Sequence, residues 1–483
     1  GFHRDELLYL ALGNNPAAGY WSNPPMIGII SYLSQLLPWD PLFNTRLLPA
    51  VAGAVLIILT GLIASELGGS TYSVVLSCLI LSFSLLILRG FSMLQPVPFD
   101  ILIWTLILYF LLKYLNDLNS GWGIAIGATA GLGMLNKYIV VFLIAGILLA
   151  LLISRHRKLL TKKYLWIAAG IGLLIFLPNL IWQYLHGFPV FFHMQELKET
   201  QLINVNRANI VIDQLLMFTT GSLIWVAGLL WFLFGGHAGK FRIFGMIYLA
   251  VLAFFLILKG KSYYMAGLYP FMFAAGGVAW ESILKRQAPR IILAIILFLL
   301  SLPLAPAGIP LMQAPELASW FSKIPPDMGG EALLRWEDGK MHDLPQDFAD
   351  MLGWDEMAAL VIKASDSIAE KDRIMIYGEN YGQAGAIDHF GKPYNLPAAA
   401  SFSDSYLLWL PDSLNRNKDI LFYINDERGN DIFPMFQSVD SIGSVTNPYA
   451  REFGTTVYLC RSPQAEFFEF YKEKVRQAKE AIR

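Results

Sequence analysis

The stretch that decides the fold reads IVVFLIAGILLALLI (139–153), SRHRKLLTKK (154–163) and YLWIAAGIGLLIFLPNLIWQY (164–184). Two apolar runs flank a short loop with five basic residues. A helix needs about 20 mostly apolar residues to cross a bilayer, and basic residues collect in cytoplasmic loops. The stretch therefore predicts two transmembrane helices joined on the cytoplasmic side.

The whole chain shares this apolar character. Hydrophobic residues make up 55% of the 483 residues and charged residues 15%, and the mean hydropathy is +0.49. Soluble domains contain about 45–50% apolar and about 25% charged residues. The composition therefore predicts an α-helical polytopic membrane protein, for which no nucleic-acid partner is expected.

Ten spans are predicted within residues 1–306, and their number between the basic loops is consistent with the positive-inside rule. The spans are 47–66, 71–88, 99–115, 121–135, 139–153, 164–184, 214–235, 241–258, 263–281 and 289–306. Pairs of spans separate the three basic loops around 154–163, 236–242 and 284–290, so all three fit the cytoplasmic side. The N-terminal segment, the other connections and the C-terminal region then share the outer side.

Several basic residues break this rule, because they lie at the outer ends of spans. They are Arg4, Arg89, Lys137, Lys259 and Lys261. A single one is equally well explained by a side chain that extends to the membrane surface. Five on one face, with acidic residues between them, favour a site for an anion, and a lipid-linked phosphate is the natural anion at a membrane surface.

Carboxylates lie on the same face. Asp5 and Glu6 precede an apolar segment, and Asp100 begins a span after two prolines. Acidic residues also favour helix N-termini for electrostatic reasons, and that alternative stays open. A carboxylate at the mouth of a span can instead remove a proton from an acceptor or orient a departing phosphate through a metal.

Two further segments place polar residues at the outer surface of the membrane. Gly123, Gly127 and Gly131 recur every four residues and predict close helix packing, and their helix ends at Lys137-Tyr138. The segment KGKSYY (259–264) places Tyr263 and Tyr264 beside Lys261, although tyrosines at this depth also form interfacial belts.

A metal site is a weaker candidate. His186, His193 and Glu196 are potential ligands of a divalent ion. However, the seven-residue gap between the histidines matches no compact ligand pattern.

After residue 306 the composition changes. Residues 307–345 are rich in proline and predict a linker, and 346–483 predict a small α/β domain outside the membrane. Strands are expected at RIMIYG, DILFYIND and TTVYLCR, and helices at NYGQAGAIDHFG and the charged C-terminus.

Six motifs of the chain follow one another in this order: HRDELLYLA, NPP, FSMLQPVPFD, GLGMLNKY, PNLIWQ and GKSYYMAGLYP. With these motifs the chain resembles the bacterial dolichyl-phosphate-mannose–protein mannosyltransferase-like family, which is glycosyltransferase family 39. This family is related to the lipid A aminoarabinose transferases. LPQDFADMLGW and NYGQAGAIDHFG resemble the periplasmic domain of its bacterial members. The resemblance implies the GT-C membrane fold, polyprenyl-phosphate sugar donors and a location in the bacterial inner membrane. It also implies that an upstream span precedes Gly1.

The resemblance maps the family's acidic motif onto Asp5 and Glu6, its later acidic residue onto Asp100, and the lysine of a KxYY-type motif onto Lys261. Asn23 stands before the double proline where many relatives have His or Lys. The donor-phosphate site is then expected to contain Arg4, Lys137, Lys261, Tyr263 and Tyr264. The substrate cavity is expected to contain Asn23, Gln95, Tyr138, Asn179 and Gln183.

Together with the resemblance, these residues predict an inverting transfer of a sugar to a periplasmic protein, lipid A or glycan without a nucleotide. No cofactor is certain, and a divalent metal ion is the one candidate. Asp5 would act as general base, with Glu6 or Asp100 orienting it, although either Asp5 or Glu6 could be the base. Two other function classes stay open. A transporter or flippase would place its charges near the bilayer midplane, and a scaffold would bind partners without catalysis.

Overall fold

The computed structural model describes residues 1–200, 202–325 and 329–480. It contains a helical membrane region followed by a sheet-containing domain. The helices of the first part are α1 (Arg4–Asn14), α2 (Met26–Gln35), α3 (Pro41–Glu66), α4 (Thr71–Ser82), α5 (Leu85–Gly90), α6 (Pro96–Asp117), α7 (Ser120–Asn136), α8 (Val140–Ile153), α9 (Lys163–Leu185), α10 (Pro189–Thr200), α11 (Arg207–Leu216), α12 (Ser222–Phe234), α13 (Arg242–Leu258), α14 (Tyr269–Ile283) and α15 (Gln287–Ser301).

Helices occur at all ten predicted spans, and the chain is a multi-pass membrane protein. Among the described residues, five helical segments are long and apolar enough to cross a membrane, and seven if each bent pair is counted as one span. Several predicted spans are not single α-helices, and two of them are divided between separate helices. The predicted span 71–88 is divided between α4 and α5, and α11 and α12 meet at a bend of 95°. Hydropathy detects the apolar length of such segments but not their breaks.

The predicted glycine stripe packs closely against α9. A Cβ atom on Gly127 would collide with the backbone of Ala168, and one on Gly131 would lie 2.7 Å from the Gly172 carbonyl oxygen. Gly123 is less crowded, since its nearest neighbour would be 3.9 Å away. Two of the three glycines therefore let the backbones of α7 and α9 approach each other.

The basic loops lie at one end of the bundle. The Lys240 ammonium donates a hydrogen bond to Asn116, and the Lys240 carbonyl contacts His156 in the loop 154–163. The third loop is tied to the α3–α4 turn, because Arg290 pairs with Glu281, which accepts a hydrogen bond from the Ser70 amide. The predicted grouping of these loops is consistent with this arrangement, while the assignment of this end to the cytoplasm stays a prediction.

The C-terminal part is an α/β domain with a mixed four-stranded sheet. The sheet order is β1-β2-β4-β3, in which β1 and β2 are parallel and the other pairs are antiparallel. The strands are β1 (Ile374–Gly378), β2 (Ile420–Asn425), β3 (Phe436–Ser444) and β4 (Thr456–Pro463). The helices are α16 (Ala305–Gly308), α17 (Ala314–Phe321), α18 (Gly330–Leu334), α19 (Gln346–Ala349), α20 (Trp354–Ser365), α21 (Tyr381–Gly391), α22 (Tyr406–Trp409) and α23 (Ala465–Glu480).

The predicted strands and helices of this domain are present, but β3 was not predicted. Its burial is irregular, and most of its side chains are at least partly exposed. The segment 307–345, predicted to be a linker, is also packed, since Leu317 and Phe321 share an apolar cluster with Met93.

Helix α1 lies inside the core of the α/β domain. Leu7, Leu8 and Leu12 of α1 are buried in one cluster with Trp354 and Phe422. The backbones of α1 and α21 approach closely, because a Cβ atom on Gly385 would lie 2.9 Å from the Leu7 Cβ atom. The helix that carries the predicted catalytic motif is thus fixed by both parts of the protein.

The glycine contact between α7 and α9 generates a stability prediction. Gly127→Leu forces a side chain into the backbone of Ala168 and is expected to cost about 1–3 kcal/mol, measured as a lower melting temperature of the purified protein. Gly170→Leu is the matched control, since no atom lies within 4 Å of the added Cβ. Equal melting temperatures for the two variants would contradict the close contact.

Candidate active site

Most of the predicted site residues gather at the end of the bundle opposite the basic loops. They come from α1, the start of α6, the end of α7 and the connection between α13 and α14. This end is covered by the α/β domain, which contributes residues of its own. The site is therefore built from segments that are far apart in the sequence.

The first turn of α1 is fixed by a reciprocal cap. The His3 ring accepts a hydrogen bond from the Asp5 amide at 3.1 Å, and the Glu6 carboxylate accepts one from the His3 amide at 2.8 Å. This capping box satisfies backbone donors that a helix start otherwise leaves without partners. It also turns the neighbouring side chains of Asp5 and Glu6 in different directions.

Glu6 points into the protein and is completely buried. Arg46 of α3 donates to both of its oxygens, from Nε at 3.1 Å and from Nη2 at 2.9 Å. The Leu94 amide also donates to Oε1 at 2.9 Å. The Glu6 carboxylate thus joins α1, α3 and the connection before α6, and all of its contacts are structural.

Asp5 is partly exposed and contacts the α/β domain. The Tyr381 hydroxyl of α21 donates a hydrogen bond to Asp5 Oδ1 at 2.7 Å. Among the described residues, none donates a hydrogen bond to Oδ2. The Arg4 guanidinium lies 4.4 Å from the centre of the Tyr381 ring. Burial, followed by the nearby negative charge of Asp5, raises the pKa of Tyr381, so this hydroxyl stays a hydrogen-bond donor.

Asp100 lies near the start of α6 and is 4% exposed. Its Oδ1 atom and the Trp104 Nε1 atom one turn later are both buried and form no well-aligned hydrogen bond among the described residues, although the Trp104 side chain lies close enough to interact with the carboxylate. The Lys137 ammonium acts electrostatically on this carboxylate. Buried polar atoms without a well-aligned protein partner are unusual and mark places where water or a ligand can bind.

The two lysines at the site are surrounded by aromatic rings and carboxylates. The Lys137 Nζ atom lies 5.0 Å and 5.1 Å from the ring centres of Tyr263 and Tyr264. Burial lowers the pKa of Lys261; the carboxylates of Glu337, Asp5 and Asp347 oppose this shift, whereas Lys137 reinforces it. Lys261 therefore lies within electrostatic range of both Lys137 and Asp5.

Three predicted cavity residues form one hydrogen-bonded network. The Tyr138 hydroxyl donates to Asn179 at 2.7 Å, and Gln183 donates to Tyr138 at 3.0 Å. Asn179 also donates to the Ala18 carbonyl at 2.7 Å. These bonds tie α9 to the end of α7 and to the N-terminal loop, while contact with a substrate stays a prediction.

The remaining predicted residues have local contacts. Asn23 donates to Ser22 at 2.7 Å, and Gln95 precedes α6 and donates to the Gly90 carbonyl at 3.3 Å. Arg89, expected at an anion site, forms an ion pair with Asp347 of the α/β domain. Burial acts to raise the pKa of Asp347, but Arg89, His3 and Lys261 together outweigh this effect and hold the pKa below its usual value.

The three candidate metal ligands do not form one cluster. His186 stacks on Trp182 with ring centres 4.1 Å apart, whereas His193 lies 3.9 Å from Glu196. Within residues 1–200, 202–325 and 329–480, no group of three His, Cys, Asp or Glu residues is placed to hold a metal ion. Burial lowers the pKa of His193, with Asp404 opposing the shift and Lys261 reinforcing it.

Sequence reasoning missed Arg46 and Tyr381. Arg46 lies in an apolar segment near the start of α3, where an arginine is costly without a partner, and this was the available signal. Tyr381 is 376 residues from Asp5 in the chain. Its segment, NYGQAGAIDHFG, was correctly predicted as a helix, but nothing in it indicates its partner.

The buried ion pair between Glu6 and Arg46 predicts that removing one partner destabilises the protein more than removing both. Arg46→Met leaves the Glu6 carboxylate buried without its cation and is expected to destabilise the protein by about 3 kcal/mol. Glu6→Met/Arg46→Met should recover part of this loss, because no buried charge remains. Thermal unfolding of the purified variants measures both effects.

The matched control is Arg461→Met, which removes an exposed partner of Asp440. Exposed pairs contribute about 0–1 kcal/mol, so this variant should melt close to the unsubstituted protein. An Arg46→Met variant that melts like this control would show that the Glu6 pair is not required for stability.

Comparisons with known proteins agree with this architecture. The model of the dolichyl-phosphate-mannose-protein mannosyltransferase family matches residues 22–182. The lipid A galacturonosyltransferase RgtD of Rhizobium johnstonii is 27% identical over 218 residues, which are 42% of this chain and 43% of that protein. The match thus spans less than half the length of this curated relative.

The fold is similar to crystal structures of ArnT from Cupriavidus metallidurans. The structure bound to undecaprenyl phosphate has a TM-score of 0.61 at 14% identity, over 94% of this chain and 93% of ArnT. The apo structure has a TM-score of 0.58 at 15% identity, over 95% and 93%. These comparisons confirm the predicted GT-C fold over nearly the whole chain and the predicted resemblance to the dolichyl-phosphate-mannose–protein mannosyltransferase-like family.

Proposed function

We propose that the chain is a membrane glycosyltransferase that transfers a sugar from a polyprenyl-phosphate donor to an acceptor outside the cytoplasm. The observation that carries this proposal is the gathering of Asp5, Asp100, Lys137 and Lys261 at one end of the bundle. The similarity to ArnT, solved with undecaprenyl phosphate, and to RgtD, a lipid A galacturonosyltransferase, supports the class of donor and of reaction. The proposed location is the bacterial inner membrane, with the α/β domain in the periplasm.

Lys261 and Lys137 are the proposed ligands of the donor phosphate. Both carry ammonium groups at the end of the bundle, where the head group of a lipid with its tail in the bilayer can reach them. Tyr263 and Tyr264 hold the Lys137 ammonium against their ring faces. The lysines would also stabilise the phosphate as it leaves with the electrons of the anomeric bond.

Asp5, rather than Glu6, is the proposed general base. The Glu6 carboxylate is buried and already accepts hydrogen bonds from Arg46, His3 and Leu94. Asp5 is partly exposed, and its Oδ2 atom accepts no hydrogen bond from the described residues. It could therefore take the acceptor proton while the acceptor oxygen or nitrogen attacks the anomeric carbon and the phosphate departs, which inverts the configuration.

The other charged residues are assigned supporting roles. Tyr381 holds one Asp5 oxygen, and Arg4 packs against the Tyr381 ring. Asp100 lies beside the Trp104 side chain and within electrostatic range of Lys137, one of the two lysines that are proposed to bind phosphate. The transporter alternative gains no support from the family match, the curated relative or the fold.

The assignment of the base is tested with Asp5→Asn. Replacing the carboxylate by an amide removes the proton acceptor, so transfer of a radiolabelled sugar from undecaprenyl phosphate should fall at least about 100-fold. The variant should keep the melting temperature and the donor affinity of the unsubstituted protein. Near-normal turnover would remove Asp5 from this role.

Tyr381→Phe tests the positioning of Asp5 and should have a smaller effect than Asp5→Asn. Because Tyr381 is a positioning residue, its loss should lower kcat about tenfold while the KM for the donor stays unchanged. Tyr394→Phe, at an exposed tyrosine of the same domain, is the matched control and should change neither value. A fall in kcat together with a rise in the KM for the donor would instead indicate general damage to the site.

The environment of Lys261 predicts a pH dependence of donor binding. Because burial lowers its pKa from the ordinary value of 10.5, Lys261 should lose its proton, and with it its attraction for phosphate, at a lower pH than an exposed lysine. The KM for the donor should therefore rise on the alkaline side. Lys261→Arg keeps its charge at higher pH and should move this rise upward, and an unchanged profile would exclude Lys261 as the phosphate ligand.

A further inference from the structure

A cavity of about 680 Å³ lies in the α/β domain. It is open to solvent on one side and is bordered by β1, β2, the loop after β2 and helix α23. Pockets of about 300–1,000 Å³ are the usual size for small ligands. None of the residues that line it is used in the proposed reaction.

Aromatic side chains form much of its wall. Tyr377 and Tyr423 are register partners on β1 and β2, and their rings stack with centres 5.5 Å apart. Helix α23 contributes further rings across the cavity. The six aromatic residues that line the cavity are Tyr377, Phe402, Tyr423, Phe467, Phe470 and Tyr471.

Polar groups are concentrated along one side. Glu379 Oε2 accepts hydrogen bonds from the Tyr377 hydroxyl at 3.0 Å and from Asn425 at 3.3 Å. Asn425, which is 8% exposed, also donates to the Tyr423 hydroxyl at 2.7 Å. These bonds fix a group of donors and acceptors beside the hydroxyl ends of the two stacked rings.

Charged side chains of both signs complete the lining. They are Glu427, Arg428, Asp431 and Lys474, and none of them forms an ion pair among the described residues. The Lys474 ammonium instead lies 5.4 Å from the Phe470 ring centre. Unpaired charges of opposite sign around an aromatic cavity leave hydrogen-bonding capacity for a ligand.

The lining discriminates among classes of ligand. An apolar ligand would remove these charges from water without replacing their hydrogen bonds. An anion would meet Arg428 and Lys474 but also the three carboxylates of Glu379, Glu427 and Asp431, which give the lining an excess of negative charge. A neutral saccharide has apolar C–H faces that pack on aromatic rings, and its hydroxyls donate to carboxylates and accept from cations.

We propose that this cavity is a binding site for a neutral saccharide, separate from the site of sugar transfer. The stacked tyrosines and Phe470 would contact the faces of the sugar rings. Glu379, Glu427 and Arg428 would bind the hydroxyls. The α/β domain would thus have a recognition role in addition to its contact with Asp5.

The test uses the full chain in lipid nanodiscs free of glycoside detergent. Saturation-transfer difference NMR with cellobiose and with N,N′-diacetylchitobiose is expected to show binding of at least one of them, and weaker binding of glucuronic acid. Phe470→Ala and Arg428→Gln should each weaken the disaccharide about fivefold. Asp5→Asn should leave the affinity unchanged.

Phe453→Ala and Arg416→Gln are the matched controls, because both residues are exposed and lie outside the cavity. They should bind like the unsubstituted protein. Absence of signal for both disaccharides, tighter binding of glucuronic acid, or equal affinities for the cavity and control variants would each overturn the proposal. Since binding is measured without turnover, such a result would leave the proposed transferase function unaffected.

Discussion

The arrangement of the site depends on the buried carboxylate of Glu6. A buried charge is tolerated only when a counter-ion and hydrogen bonds replace its lost water. Arg46 and the amides of His3 and Leu94 supply these contacts, and each comes from a different segment. The requirement to satisfy one carboxylate therefore fixes α1 against the membrane bundle.

This constraint also separates the roles of two adjacent acidic residues. Successive side chains on an α-helix point about 100° apart, so when Glu6 faces inward, Asp5 faces the α/β domain. There Tyr381 binds one of its oxygens. The same acidic pair thus supplies one structural group and one group that is available for proton transfer.

The α/β domain is consequently part of the site rather than an appendage to it. Gly382 and Gly385 leave room for Arg4 and for the backbone of α1, since a Cβ atom at either position would contact them within 3.0 Å. The ion pair between Arg89 and Asp347 adds a second link between the bundle and this domain. In the proposed mechanism, the α/β domain therefore orients the base through Tyr381, while the lysines proposed to bind the donor phosphate belong to the bundle.

The sequence predicted the parts of the molecule that depend on local composition. The length of the apolar runs predicted the helical regions. The lysine and arginine residues at the predicted outer ends of spans identified Lys137 and Lys261 as candidates for an anion site. The sequence could not predict the break between α11 and α12, the exposed strand β3, or the contact of Tyr381 with Asp5. Those features depend on packing between distant segments, and their residue types are ordinary for their surroundings.

The central claim is that Asp5, Lys137 and Lys261 surround one site for a lipid phosphate at the end of the bundle covered by the α/β domain. A cryo-EM structure of the full chain in a nanodisc with undecaprenyl phosphate tests it most directly. The account predicts phosphate density against the ammonium groups of Lys261 and Lys137, with the Asp5 carboxylate open to the same space. Phosphate density at the opposite end, beside the basic loop 154–163, would contradict it.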